Sequence, residues 1–174
     1  MLLRLFNGGG ELGKARSYEI IEYRKKIMDS LCRDKEILKL FNATDLKHPE
    51  DELPYHKFYP HEYIPETITS TERFICFDIR ATHNTQNRTL KELIIYFFIS
   101  CHQDVVPYFE DGRSYLWYDK VVCALDELFT DQYKLGIGKM ELISNDPYYP
   151  QQKFKGRKLM FRVSDFYNGK EHGK

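Results

Sequence analysis

The clearest pattern of apolar and polar positions lies near the end of the chain. Residues 158–164 alternate between the two kinds of side chain, and a period of two predicts a β-strand with one buried face. An earlier apolar group at 135–143 predicts a partner strand. Pro147 and Pro150 stand between these segments, and proline cannot donate to a sheet ladder. We therefore predict a polar arm over residues 145–156 rather than a continuous strand.

Two further strands are predicted in the middle of the chain. Residues 73–81, RFICFDIRA, alternate between apolar and polar positions and predict a half-buried strand. Residues 93–101, LIIYFFISC, are apolar on both faces, which is typical of a central strand that is covered on both sides. The polar stretch 83–88 predicts a hairpin loop between the two strands. Residues 105–112 are predicted to form a second, turn-rich loop.

Apolar positions spaced three and four apart predict three helices. The first follows Ser17, a candidate N-cap, and extends to Leu31. Asp34 is a candidate cap for a second, shorter helix that ends near Asn42. The third helix has the most regular spacing and is predicted over about 114–130.

The remaining segments follow no regular period. Residues 44–70 contain four prolines among several aromatic side chains; such proline density forbids a helix, and the aromatic content argues against disorder. We predict an extended segment laid over the domain or over a partner subunit.

Residues 1–16 carry an apolar tip followed by three consecutive glycines and are predicted to be a flexible tail that can dock on a neighbour. Residues 169–174 are predicted to be disordered.

These elements predict a single α+β domain over residues 17–168. We expect an antiparallel or mixed four-stranded sheet, packed by the helix at about 114–130 and by the N-terminal helices, with extended arms. A chain of 174 residues, 42% of them hydrophobic, is long enough for one core.

The composition narrows the class of partner. Lys and Arg number 26, as do Asp and Glu, so no global basic field favours nucleic-acid binding.

The four cysteines are far apart and form no CxxC pair, which indicates reduced, mostly buried thiols in a cytosolic protein. No run approaches the roughly 18 apolar residues of a membrane helix. We expect a soluble protein with no membrane partner.

A search for chemistry identifies no catalytic, cofactor or metal site. His56 and His61 lie in the proline-broken segment, where the helical HExxH zinc geometry cannot form. The glycines of LGIGK follow a helix and precede a strand, the reverse of a nucleotide-binding fingerprint. A metal-dependent nuclease remains the alternative, with Asp78 and Glu141 as metal ligands. Glu92 and Lys139 complete that hypothetical site.

Aromatic and basic side chains on three segments form the candidate interaction surface instead. Tyrosine-rich surfaces are favoured at protein interfaces, and the balanced charge favours this interpretation over contacts with nucleic-acid phosphates. The candidate interface residues are Leu5, Phe6, Tyr59, Tyr63, Tyr148, Tyr149, Lys153, Lys155 and Arg157.

Five segments of the sequence carry a family resemblance. They are FYPHEYIPET (58–67), RFICFDI (73–79), LIIYFFISCHQDV (93–105), YDKVVCALDELF (118–129) and LGIGKMELISNDPYYPQQKFKGRKLMFRVSDF (135–166). In their order and pattern the chain resembles neck proteins of tailed bacteriophages, in particular the tail-terminator and head–tail connector group.

The resemblance implies a structural, non-enzymatic virion protein. It implies a homo-oligomeric ring, a hexamer or alternatively a dodecamer, at the head–tail junction, assembled in the host cytoplasm. The implied partners are other neck proteins, portal-side proteins and tail-tube proteins. Double-stranded DNA would pass through the channel without sequence-specific binding. A monomeric adaptor with a peptide-binding sheet edge is a third hypothesis.

Overall fold

The structure, a computed structural model, describes residues 18–66, 71–83, 90–130 and 139–166. The predicted tails at 1–16 and 169–174, the candidate cap Ser17 and the tip residues Leu5 and Phe6 lie outside these ranges, as does most of the predicted hairpin loop at 83–88.

The described residues form four α-helices, seven β-strands and one 3-10 turn. The helices are α1 (Tyr18–Arg33), α2 (Lys35–Leu40), α3 (Pro49–Glu52) and α4 (Trp117–Phe129). The strands are β1 (Phe58–Tyr59), β2 (Arg73–His83), β3 (Leu90–His102), β4 (Pro107–Glu110), β5 (Arg113–Leu116), β6 (Met140–Tyr148) and β7 (Phe154–Phe166). The 3-10 turn spans Gln103–Val105. Within the described ranges, no helix combines the length and apolarity needed to cross a membrane.

Five strands form one mixed sheet in the order β1-β2-β3-β7-β6, and β4 and β5 form a separate two-stranded hairpin. β1 runs parallel to β2, whereas the other neighbours in the large sheet are antiparallel. The predicted α+β class and single domain are confirmed. The four predicted strands are β2, β3, β6 and β7; the fifth, β1, comes from the proline-rich segment and adds only two residues to the edge.

The main core lies on one face of this sheet. Apolar side chains of α1, α2 and α4 pack against alternate residues of the strands, as the predicted helical and strand periods require. Phe97 of β3 lies at its centre, with ring centroids 5.2 Å from Phe129, 5.7 Å from Phe161 and 6.1 Å from Phe77. α2 begins at the predicted cap, because a carboxylate oxygen of Asp34 accepts a hydrogen bond from the Ile37 backbone N–H at 3.0 Å.

Trp117 joins α2, α4 and β2 within the same core. The indole of Trp117 is fully buried at the start of α4, and its Nε1 donates to the carbonyl oxygen of Leu40 at 2.8 Å. Phe41 packs edge-on against the indole at 5.2 Å, and the guanidinium of Arg73 lies 5.1 Å from its ring centre. Arg73 also donates to the carbonyl of Val105 at 3.0 Å. Burial lowers the pKa of Arg73 from its ordinary value.

The predicted arm at 145–156 is wrong in its first and last parts. β6 continues to Tyr148, β7 starts at Phe154, and only residues 149–153 connect them. Pro147 is in register with Arg157. A proline is tolerated there because β6 is the edge of the sheet and makes ladder hydrogen bonds on one side only.

The bounds of two other segments differ from the prediction, and so does the coverage of β3. The helix expected from 114 begins at Trp117, because Arg113–Leu116 pair with β4. The segment 44–70 is described as far as residue 66, and it contains the short helix α3, which begins at Pro49. Proline fits this position because the first N–H groups of a helix have no partner within it. β3 is central as predicted, but only one of its faces is fully covered.

Candidate interaction surfaces

The face of the sheet opposite the main core carries a row of half-buried apolar side chains. Ile94, Tyr96 and Phe98 alternate along β3 with the core residues, and all three are half-buried. Met160 of β7 is the register partner of Tyr96 and is also half-buried. We call Ile94, Tyr96, Phe98 and Met160 the open face. Large side chains left half-exposed in a central strand favour packing against another molecule.

Charged side chains surround the open face with nearly balanced sign. The Nζ of Lys158 lies 5.1 Å from the ring centre of Tyr96 and 5.4 Å from that of Phe98, within range of a cation–π contact. Arg162 pairs with Glu92 at 3.6 Å. Among the described strand residues, those of this face and its rim that carry charge are Asp78, Arg80, Glu92, Glu141, Asp146, Lys158 and Arg162.

One end of the open face is closed by the proline-rich segment. The rings of Tyr59 and Tyr63 stack with centroids 4.2 Å apart and an angle of 7° between their planes. Both rings contact Phe74, and the thiol of Cys76 donates to the carbonyl oxygen of Tyr63 at 3.8 Å. Burial, with a smaller effect of Tyr63, raises the pKa of Tyr59 to about 12. This segment therefore covers its own subunit's sheet.

The turn between β6 and β7 holds the proline-rich segment in place. The hydroxyl of Tyr148 donates to a carboxylate oxygen of Glu62 at 2.6 Å, and the side-chain amide of Gln151 donates to the carbonyl of Pro65. The ring of Tyr148 lies 5.3 Å from Phe98. Burial first, and the bond to Glu62 second, raise the pKa of Tyr148.

The structure thus brings some of the predicted interface residues together and separates others. Tyr59, Tyr63 and Tyr148 meet at the end of the open face, but Tyr59 is buried and offers little surface to a partner. Tyr149 is 65% exposed, and Lys155 lies 5.1 Å from its ring centre. Lys153 is exposed as well. Arg157 instead pairs with Asp119 of α4 at 3.1 Å, while Leu5 and Phe6 are outside the described ranges.

The structure does not bring together the residues of the alternative nuclease site. Asp78 on β2 and Glu141 on β6 are separated by β3 and β7, three strand spacings or about 14 Å. One metal ion cannot bind both carboxylates, because metal–oxygen distances are about 2.0–2.6 Å. Asp78 is also ion-paired with Arg24. Among the described residues, no three His, Cys, Asp or Glu side chains are placed to hold a metal ion.

The β4–β5 hairpin is a surface feature that was not predicted from the sequence. Its two turn residues, Asp111 and Gly112, both have positive φ, 50° and 74°, as a type I′ turn requires. Phe109 on β4 is 75% exposed. The sequence contained the signal, because Asp-Gly between two short alternating segments is a strong hairpin indicator.

Ion pairs fasten the hairpin to the helices. The carboxylate of Glu110 accepts hydrogen bonds from Lys39 of α2 at 2.6 Å and from Lys120 of α4 at 2.7 Å. Hydrogen bonds first from Lys120 and then from Lys39 lower the pKa of Glu110 from 4.5 to about 2. A carboxylate whose pKa is lowered by folding stabilises the folded state at pH values above its unfolded pKa. For Glu110 this stabilisation is lost as the pH falls from 4.5 towards 2.

We therefore predict that Glu110→Gln destabilises the protein more at pH 7 than at pH 3, because the glutamine lacks the charge that both lysines require. Urea unfolding at the two pH values measures the difference. Glu127→Gln, an exposed position on α4, is the matched control. An equal loss of stability at both pH values would show that the ion pairs do not stabilise the fold.

A cleft beside α1 was not predicted either. Its apolar walls come from Ile21 and Met28 of α1 and from Pro54, Tyr55 and Pro60, and its volume is about 320 Å³. Tyr55 has φ of 61°, a left-handed conformation that is unusual for a bulky residue, and its side chain is 62% exposed. Ile21 is equally exposed. Nothing in the linear pattern indicated the cleft, because its walls come from segments more than 20 residues apart.

Three of the four thiols are buried. Burial raises the pKa of Cys32 to about 11 and those of Cys76 and Cys101 to about 12, so these thiols remain protonated at neutral pH. Cys123 on α4 is exposed, so the prediction of burial is confirmed for three of the four cysteines and is wrong for this one.

Comparison with known proteins gives one family. A family model described as YomW matches residues 34–163, about three quarters of the chain. The matched region runs from Asp34, the cap of α2, to Val163 in β7. The name YomW comes from a Bacillus phage protein, and the match supports a bacteriophage or prophage association. No curated protein matches the chain.

Proposed function

The chain belongs to the YomW family, and from this premise we propose that it is a structural protein of the phage neck. In this proposal identical subunits form a ring at the head–tail junction, as a tail terminator or a head–tail connector. The ring has six or twelve subunits, surrounds the DNA channel and joins the portal side of the capsid to the tail. It assembles in the host cytoplasm and remains in the virion.

The open face is the observation that carries the proposal. One layer of helices covers one side of the sheet, while Tyr96 and Phe98 remain half-exposed in the central strand on the other side. Aromatic side chains with polar neighbours are enriched at protein interfaces. A structural subunit needs such a surface for each neighbour that it contacts.

The charges around the open face favour a protein partner over nucleic acid. Three basic residues there are offset by four acidic ones, whereas binding to phosphates requires a clear basic excess. The open face therefore suits a contact with another protein subunit better than a contact with the DNA phosphates.

The role at the neck is tested by removing the gene from the phage or inducible prophage that carries it. Negative-stain electron microscopy should then show filled heads and separate tails that remain unjoined, or tails that are wrongly terminated. A plasmid copy of the gene should restore joined, infectious particles. Intact, infectious particles that lack the chain would contradict the proposal.

The open face has its own test in the same complementation system. Tyr96→Ser is expected to lower incorporation of the chain into particles at least about tenfold, the size of effect expected for a buried aromatic contact worth about 1.4 kcal/mol. Tyr18→Ser, which removes an exposed tyrosine of α1, is the matched control. Quantitative blotting of purified particles measures both. Equal incorporation of the Tyr96 variant and wild type would exclude the open face as the contact.

The nuclease alternative makes a separate prediction. Metal-stimulated cleavage of DNA by the purified protein, lost in Asp78→Ala, would support it. A monomer that binds one peptide at its sheet edge would instead support the adaptor hypothesis. Neither outcome is expected if the chain acts as a ring subunit.

A further inference from the structure

The first strand of the large sheet is too short to cover its neighbour. β1 pairs only Phe58 and Tyr59 with β2, and Pro60 follows, which has no backbone N–H to continue the ladder. β2 continues to His83. Among the described residues, no strand pairs with residues 77–83 on the side of β2 that faces away from β3. We call this stretch the outer edge of β2; an uncovered edge of this kind can take up a strand from another molecule.

The backbone N–H of Ile79 points to this outer edge. The N–H of Ile75 donates to the carbonyl of Lys57 at 3.0 Å, on the β1 side, and the backbone groups of every second residue point to the same side of a strand. The N–H of Ile79 is already bonded, because the carboxylate oxygen Oδ1 of Asp78 accepts it at 2.8 Å. A side chain that binds its neighbouring backbone in this way competes with pairing to another strand.

Arg24 of α1 holds this carboxylate in place across the outer edge. Its guanidinium donates to Oδ1 of Asp78 and to the carbonyl oxygen of Pro60. α1 packs on the core face of the sheet, whereas Asp78 is the register partner of Tyr96 and lies on the open face. Since β3 closes the other side of β2, the Arg24 side chain passes around the outer edge to reach Asp78. A further strand would have to displace it, and charged side chains at an edge oppose strand addition.

The opposite edge of the sheet is interrupted by the backbone itself. β6 has a register shift between Leu142 and Ser144 and a proline, Pro147, and bulges and prolines both interrupt the pairing of an edge strand. β2 has neither, because its register with β3 is continuous from Arg73 to His83 and no proline lies in that range. The outer edge of β2 therefore depends on side chains to stay unpaired.

We propose that Arg24 and Asp78 act as an edge guard, which keeps the outer edge of β2 from pairing with β2 of a second copy of this chain. A second β2 is the strand to exclude because its edge is regular and carries Phe77 and Ile79, residues with high strand propensity. With the guard in place, copies of the chain cannot join edge to edge through β2. The guard goes beyond the proposed neck function and does not rest on it.

A strand peptide tests the guard. The probe is a fluorescein-labelled peptide with the sequence of residues 73–83, carrying Cys76→Ser and Asp78→Thr so that it has no thiol and no guard of its own. Fluorescence anisotropy measures its binding to the wild-type protein and to the Asp78→Thr protein. The Asp78→Thr protein is expected to bind the peptide at least about tenfold more tightly, because a hydrogen bond to a charged group no longer competes with the incoming strand.

Glu92→Thr is the matched control. Glu92 lies on the central strand β3 with a side-chain exposure of 44%, against 49% for Asp78, and is likewise paired with an arginine, Arg162. The change removes a carboxylate and an ion pair without uncovering an edge, so the peptide should bind this variant as weakly as it binds wild type. The same peptide with Phe77→Pro and Arg80→Pro lacks an N–H on each side of the strand and should bind none of these proteins.

Equal affinity of the peptide for wild type and for Asp78→Thr would overturn the inference. Tight binding to wild type would also overturn it and would support the adaptor hypothesis instead. A rise in affinity that is equal for Asp78→Thr and Glu92→Thr would show an effect of lost charge alone and would overturn it as well. If far-ultraviolet circular dichroism shows that Asp78→Thr does not fold, Arg24→Gln decides by the same criterion, because it removes the guanidinium from the edge and leaves the sequence of β2 intact.

Discussion

Replacement of Gly156 by alanine is expected to lower the free energy of unfolding by about 3 kcal/mol or more, the upper range for overpacking in a core. Gly156 lies in β7 opposite Ser100 of β3. A Cβ there would lie 1.7 Å from the carbonyl oxygen of Ile99, 2.7 Å from its carbonyl carbon and 2.9 Å from the Cα of Ser100. These are backbone atoms of the central strand, so the clash cannot be relieved by a side-chain rotation.

Urea unfolding followed by circular dichroism measures this effect, which corresponds to a melting temperature roughly 6–12 °C lower. Gly112→Ala is the matched control. Gly112 has φ of 74°, but no neighbouring atom lies within 4 Å of the position that an alanine Cβ would take, so only left-handed strain of about 1–2 kcal/mol is expected. Equal stability of the two variants would show that β3 and β7 are not paired in the register described.

Replacement of Trp117 by alanine is expected to cost about 3–5 kcal/mol, as for other fully buried large aromatics. The change leaves a cavity between α2, α4 and β2 and removes the contact with the guanidinium of Arg73. It also removes the main donor to the carbonyl of Leu40. Since folded domains are stable by only about 5–15 kcal/mol, this single change should bring the protein close to unfolding.

Comparison with Trp117→Phe separates the contribution of ring packing to stability from that of the Nε1 hydrogen bond. It keeps a ring in the site and loses the Nε1 donor, so we expect a loss of about 1–2 kcal/mol. Trp117 is the chain's only tryptophan, so unfolding must be followed by far-ultraviolet circular dichroism. A loss below about 1 kcal/mol for Trp117→Ala would contradict the buried position of this indole.

The long elements could be predicted from the sequence because their periods are strong. β2, β3 and β7 carry alternating or continuous apolar patterns, and α4 has regular helical spacing. Their order then predicts a sheet packed by helices. The prediction of continuous burial for β3 was wrong on one face, because an apolar run does not reveal whether a second layer of structure exists to cover it.

The errors arose where local rules were applied without knowledge of position in the sheet. Pro147 indicated an arm, but a proline is also compatible with an edge strand, and only the topology shows that β6 is the edge. Ser114 looked like the start of a helix because the hairpin turn at Asp111 had not been recognised. The helix α3 was too short to leave a periodic pattern.

The candidate surface could be predicted only in part. The tyrosines at 59, 63 and 148 were identified by composition, but the hydrogen bond that ties Tyr148 to Glu62 of the proline-rich segment joins residues 86 positions apart. Phe109 was not identified because its exposure depends on which face of the hairpin is fixed by Glu110. Long-range contacts of this kind leave no signal in a local window.

The central claim is that the chain is a ring subunit, and the mass of the assembled protein tests it most directly. Native mass spectrometry of the purified wild type, with light scattering across a concentration series, is expected to give a single closed species of six or twelve times the 20.8 kDa chain mass. A monomer at all concentrations, unchanged when neck partners are added, would contradict the account.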